Sequence, residues 1–336
     1  MALRSILADP MLRMLAGAVA LAAFLPATGG GRELAEWVAN GAIFTLFLLN
    51  GMRIARRDIA AGLRNARFLV PLILWVFGAM ALVGLGLARI GSGVLPPLIA
   101  AGFLYLGALP STVQSATSYT ALAKGNIAQS VVAAAILNIL GVFVTVPIFL
   151  ALGGTGEGTV GFETIRKIAL ILLLPFAIGQ AVQDRTMAFI AQHKPKIAWI
   201  DRGVIAIAVY VAFSGAVEQD IWSGVDGAAW AMLSTLVAGF LLIGNAGSWL
   251  LGGVLGLSRQ DRTAFLFAGA QKSAAIGVPF ATIMFPAQVA GFIVVPLLLY
   301  HLFQLVVAAP VAQTLAVRQE VRESRAPASA RGGSSG

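Results

Sequence analysis

Gln271, Lys272 and Ser273 stand out against their surroundings, in the stretch AGAQKSAAIGVP at 268–279. The stretch lies in the middle of a long apolar segment. An ammonium placed there is costly unless it meets protein or water, so Lys272 is a functional candidate by position alone. Gly277 and Pro279 follow closely. Proline removes a backbone donor and clashes with the carbonyl one turn back, which predicts a break or kink at this point. A second apolar segment is interrupted in a similar way. Residues 107–120, GALPSTVQSATSYT, put Pro110 at the head of a polar run with Ser111, Thr112, Gln114, Ser115 and Thr117. Either segment alone reads as a kinked structural helix held by hydroxyl side chains. Two at corresponding positions point to a transporter's midplane binding site, because non-helical backbone is tolerated in a membrane where it lines a cavity or is buried in protein.

Other internal polar residues are few. None of the fourteen Asp and Glu residues lies well inside an apolar segment, whereas Lys272 and His301 do. Gln304, one turn beyond His301, could share its face. Asn138 and Asn245 could stabilise helix packing or lend a carbonyl oxygen to a site.

Three roles are open to Lys272. Its ammonium could be a tethered cation, bonded to Gln271, Ser111, Thr112 or Asn138 and to exposed carbonyls. It could titrate, since burial disfavours a charge, and so couple transport to protons. It could bind an anionic substrate directly, aided by the positive ends of the second half-helices, expected to begin near Ser111 and Gly277. A static lysine without a transport role is the remaining alternative. An enzyme is not expected: internal carboxylates are absent, and Lys272 and Ser273, as helix neighbours, do not face each other.

The elements that would position these residues follow from composition. The chain has 336 residues, of which 59% are hydrophobic and 11% charged, with a mean hydropathy of +0.89. Apolar runs of about 20 residues recur throughout, the length needed to cross a bilayer as a helix. Short alternating segments, the mark of a membrane β-barrel, are absent. With no cysteine there is no disulfide framework or thiolate metal site. Ten spans are expected, near 11–27, 34–51, 68–88, 94–123, 127–152, 165–183, 198–217, 227–257, 261–285 and 287–317.

The net charge of +9 is explained by topology rather than by a nucleic-acid partner. Arg53, Arg56, Arg57, Arg64 and Arg67 follow the second span, Arg185, Lys194, Lys196 and Arg202 the sixth, and Arg259 and Arg262 the eighth. With ten spans these loops and the Arg-bearing tail fall on one side, which the positive-inside rule makes cytoplasmic. The expected location is a bacterial inner (plasma) membrane, crossed many times, with both termini in the cytoplasm and the lipid bilayer as partner.

The sequence GGTGEGTVG at 153–161 reads as an external glycine-rich linker. Its formal GxGxxG follows no strand and so is no nucleotide site. It divides the chain into a first five-helix repeat at 1–152, a linker at 153–162, a second repeat at 163–317 and a tail at 318–336. Five spans per half require the halves to be inverted relative to each other, a recurrent transporter plan. Gly252 and Gly256 form a GxxxG, which packs helices within a chain as readily as between chains, so no oligomeric state follows.

The motifs LPSTVQSATSYTALAKGN at 109–126 and FAGAQKSAAIGVP at 267–279 resemble the bile acid:sodium symporter superfamily, in its SBF-like branch, which includes the vertebrate solute carrier family 10 member 7. The resemblance covers essentially the whole chain. It implies ten helices in a 5+5 inverted repeat, with a panel domain of spans one, two, six and seven. A core of spans three to five and eight to ten would carry the crossed, unwound centres of spans four and nine. Substrate would bind between core and panel and move by alternating access. In the bile-acid branch two sodium ions sit beside the crossing. By alignment on KGN, Ala116 and Thr117 take the positions of a Ser-Asn ligand pair, and Ser130 keeps one hydroxyl while Ala134 loses another. Phe267 stands at the glutamate position, Gln271 is retained, and Lys272 replaces an asparagine. The anionic ligand is gone and a cation has been added. Thr117, Ser130 and Gln271 are thus the remnant of a sodium site, and coupling to sodium, to protons or to neither is open. The expected function is secondary active transport of a small organic anion; the alternative is a non-transporting membrane regulator or receptor on the same fold.

Overall fold

A chain segment in hydrocarbon must satisfy its backbone polar groups internally, and a helix does so within a single segment. The structure, a computed structural model, describes residues 10–54, 56, 65–154, 166–218 and 225–325, and among them there is no strand. The helices are α1 (Pro10–Phe24), α2 (Gly29–Arg53), α3 (Ala66–Gly91), α4 (Pro97–Ala108), α5 (Val113–Leu122) and α6 (Ile127–Ala151). After the linker come α7 (Arg166–Gln192), α8 (Lys194–Glu218), α9 (Gly227–Val254), α10 (Arg259–Ala270), α11 (Ala274–Met284) and α12 (Ala287–Arg325). Polar residues fix several starts by accepting a bond from a first-turn N–H: Asn65 for α3, Asn126 for α6, Asp226 for α9 and Ser258 for α10. The α6 helix ends at Gly153, whose φ of 83° suits a residue without Cβ.

Among the described residues, seven helices are long and apolar enough to cross a membrane: α2, α3, α6, α7, α8, α9 and α12. The pair α4 and α5, bent by 62°, makes an eighth if taken as one span. The remaining expected spans fall short by length: α1 has 15 residues, and the ninth expected span is two short helices, α10 and α11, separated at 271–273. Most of the expected linker at 153–162 lies outside the described residues. The helix α12 continues through the first residues of the expected tail.

The helices pack in two groups. In the first, α2 packs along α7, and α8 packs on α1 and α2. In the second, α3 packs on α4, α4 on α12, α9 on α10, and α5 on α6 and α10. The groups meet chiefly where α8 lies against α12 and α11. Glycine permits the closest approaches. A Cβ on Gly51 would collide with the carbonyl of Phe176, and one on Gly179 with that of Leu48, so α2 and α7 touch backbone to backbone. Gly84 and Gly107 join α3 to α4 in the same way.

Candidate functional site

Both interrupted segments are broken, and the breaks meet. The helix α4 stops at Ala108, Leu109 is extended, and α5 starts only after Thr112. The last carbonyls of a helix have no partner within it. Here they find partners in other helices. The carbonyls of Gly107 and Leu109 accept from Lys272 Nζ at 2.9 and 2.7 Å, and that of Ala108 from Thr145 Oγ1 at 3.1 Å. Ser273 N–H donates to the Pro110 carbonyl at 3.1 Å, a backbone-to-backbone link between the two breaks.

The second break lies at 271–273, not at Gly277 and Pro279, which sit inside α11. Pro279 removes one bond near the start of that helix without ending it. Tertiary bonds set the break instead. Gln304 grips the Lys272 peptide from both sides, its Oε1 accepting from Lys272 N–H at 2.9 Å and its Nε2 donating to the Lys272 carbonyl at 3.1 Å. Ser273 then caps α11, its Oγ accepting from Ile276 N–H. This pair of bonds fixes which end of the Gln304 amide is which. Its Nε2, 2.9 Å from His301 Nδ1, is therefore the donor and Nδ1 the acceptor.

Lys272 is 0% exposed. An ammonium has three N–H donors, and its third bond goes to the Val76 carbonyl at 3.1 Å. Val76 lies in a π-helical stretch of α3, Leu74–Ala79, a local widening of the kind often seen at functional sites. The cation thus sits among backbone carbonyls. The side chains of Gln271, Ser111, Thr112 and Asn138, expected as its partners, are not the ones it bonds, because Nζ points past them to α3 and the end of α4. Nor does Lys272 line the cavity described next.

That cavity has a volume of about 480 Å³ and lies between the two helix groups. Thr112, Gln114, Ser115, Asn138, Ser273 and His301 line it. The N-terminal turns of α5 and α11 therefore face the same space. Other expected site residues stand apart from it. Ser111 is 0% exposed, with an Oγ lacking a partner, and Pro110 sits at the crossing itself. Asn245 donates to its own helix at the Leu241 carbonyl, its Oδ1 remaining unpaired, whereas Asn138, which does line the cavity, donates to the Ala134 carbonyl.

The residues expected as a sodium-site remnant bond other partners or none. Gln271 Oε1 accepts from Ser115 Oγ at 3.1 Å, and Ser130 Oγ accepts from Thr120 Oγ1 at 3.2 Å. Thr117 Oγ1 and Gln271 Nε2 are buried without a partner. These donors are hydroxyls and an amide, with no carboxylate among them. Among the described residues no group of three or more His, Cys, Asp or Glu could hold a metal ion.

Three charged residues of the cavity were not expected at the site: Arg53, Asp201 and Arg202. Arg53 Nη2 bonds both carboxylate oxygens of Asp201 at 2.7 Å. The Arg202 guanidinium lies 5.1 Å from the centre of the Trp199 ring. Hydropathy assigns these residues to loops or span ends. The available signal was an acid set beside an arginine in an otherwise basic segment.

Comparison with known proteins adds a consistent picture. Residues 9–317 match the SBF-like CPA transporter family. An uncharacterised protein of Pseudomonas aeruginosa is 37% identical over 315 residues, covering 94% of this chain and 95% of its own. YfeH of Escherichia coli, named as a candidate symporter, is 32% identical, with 96% of this chain and 97% of its own covered. The sodium/bile acid cotransporter 7 of Mus musculus is 24% identical, with 89% of each chain covered.

Proposed function

The chain belongs to the SBF-like CPA transporter family, whose members are transporters rather than enzymes, and from that premise we propose that it carries a small organic anion across a bacterial inner membrane by alternating access. One observation carries the reading: two helix N-termini, from α5 and α11, face one cavity between two helix groups. Each such end presents unpaired N–H groups and partial positive charge, the local chemistry that suits a carboxylate or sulfonate. In this reading α1, α2, α7 and α8 are the panel and the other helices the core. Ten spans form a 5+5 inverted repeat with α4–α5 and α10–α11 each counted as one broken span. Both termini are cytoplasmic, and the cavity, reached from the end where α2 finishes and α8 begins, is the inward-facing site.

Lys272 acts in this scheme as a tethered cation. It lends the crossing a positive charge that an ion would otherwise bring, and its carbonyl partners hold both breaks together. The mouse relative's name specifies sodium and bile acid. For this chain, the missing carboxylate and the resident ammonium favour transport that is linked to protons or uncoupled, not driven by sodium.

The test has two stages. Thermal unfolding of the detergent-purified protein is measured in sodium and in choline, with a panel of small carboxylates and sulfonates. A ligand at a hundredfold excess over its dissociation constant stabilises by about 2.7 kcal/mol. At least one organic anion is expected to stabilise, and sodium is not. That anion is then followed into proteoliposomes, with and without a pH gradient. Sodium-specific stabilisation would overturn the coupling scheme, and uptake indifferent to Lys272→Ala would remove the lysine from it.

A further inference from the structure

We propose that the transported anion carries two anionic groups, one held by the N-terminal turns of α5 and α11 and the other by the guanidinium of Arg202 on the opposite wall. The inference rests on the reading of this cavity as the substrate site and specifies what the site accepts.

The charges around the cavity carry the argument. Among the described lining residues, the Asp, Glu, Lys and Arg side chains are Arg53, Asp201 and Arg202. Arg53 and Asp201 are paired at 2.7 Å and largely cancel. The cancellation matters, since an unpaired Asp201 would repel a carboxylate approaching its neighbour. Arg202 makes no hydrogen bond or ion pair to a carboxylate or carbonyl among the described residues, although its charge also acts on the neighbouring Asp201, so the trio keeps a net positive charge. Its contact is the Trp199 ring, and an aromatic ring beside a guanidinium leaves the in-plane N–H donors unused. A planar fork with unspent donors recognises a carboxylate through two parallel bonds.

Across the cavity, the core wall offers backbone donors. The N–H groups of Ala274 and Ala275 begin α11 and have no acceptor within the helix, and the Thr112 hydroxyl, at the start of α5, makes no capping bond. Apolar side chains, Leu46, Phe47, Val142, Phe176 and Ile205, line the cavity with these groups, alongside the polar Asn50, Asn138 and His301. Donors on both walls of a largely apolar cavity fit an anion with charged ends and an apolar middle. A single-headed anion would leave one cluster desolvated and unpaired. The volume of about 480 Å³ lies within the usual range for small-molecule sites.

Straight-chain dicarboxylates from succinate to sebacate, each beside the monocarboxylate of matching length, provide the test. The readout is the concentration giving half-maximal thermal stabilisation of the full-length protein in detergent. In the wild type, at the best-fitting length, the dicarboxylate is expected to act at about tenfold lower concentration than its partner, the effect of one charge-assisted bidentate contact. Arg202→Gln should close that gap, and Arg202→Lys, which keeps the charge and loses the fork, should leave part of it. Unfolding of the unliganded variants is recorded first; should Arg202→Gln fail to fold, the gap in Arg202→Lys decides. Equal potency of the two acids in the wild type, or an equal loss for both in the variant, would mean a single shared carboxylate site and overturn the inference alone. If no acid of either series stabilises the wild type, and no other organic anion does, the anion-transport reading falls with it.

Discussion

The two helix breaks differ in how they are held. The backbone of the break between α10 and α11 is held by side chains of α12 and by its own Ser273. Its central peptide is gripped by Gln304, its Ser273 caps the helix that follows, and the preceding Ala270 carbonyl accepts from the Tyr300 hydroxyl. The break between α4 and α5 supplies little of its own support. Its carbonyls are satisfied by Lys272 and Ser273 of the other break and by Thr145 of α6, while its own Ser111 hydroxyl has no partner and Thr112 makes no cap. One arm of the crossing is thus built to hold and the other to be held. Lys272 is the main connection, so damage to the second arm should be felt in the first.

Substitutions can break or sharpen that contrast. The largest effect is expected from Lys272→Met. It strands the carbonyls of Val76, Gly107 and Leu109 and should cost about 3 kcal/mol or more of stability. Amide exchange should rise at the start of α5 as well as α11; exchange confined to α11 would show that the first break stands without the lysine. Gln304→Leu follows, at about 2 kcal/mol in thermal unfolding, since it removes both bonds to the Lys272 peptide. A loss under half of that would move the origin of the second break elsewhere. Ser273→Ala removes a cap and should cost about 1 kcal/mol. The smallest change belongs to Ser111→Ala, within about 0.5 kcal/mol, because no partner is lost. If Ser111→Ala destabilises as much as Ser273→Ala, the two arms are equivalent and the contrast fails.

Much of the helical plan was legible, because apolar runs of spanning length leave the backbone few options. The first break was found at its true place, since Pro110 is itself the cause. The second was expected at Gly277 and Pro279 and lies at 271–273, because what opens the helix there is Gln304, some 30 residues further along the chain. Residue chemistry read locally cannot reveal a pincer that only packing assembles. Arg53, Asp201 and Arg202 were missed for a related reason. They sit at helix ends, where hydropathy expects charge, and only the fold turns them toward the cavity. Lys272 was marked as exceptional from its surroundings, yet its carbonyl partners depended on a π stretch in α3 with no distinct residue signature.

The seam between α2 and α7 has a kinematic consequence. With Gly51 and Gly179 seated against opposing carbonyls, the two helices meet backbone to backbone, and the Gln180 side-chain amide ties the seam by donating to the carbonyls of Gly51 and Ile54. Arg53 at the end of α2 is in turn fastened to Asp201 on α8. These three helices are fastened to one another, so in the proposed alternating-access scheme they would swing as one lever, with its play taken up where α8 rides over α11 and α12.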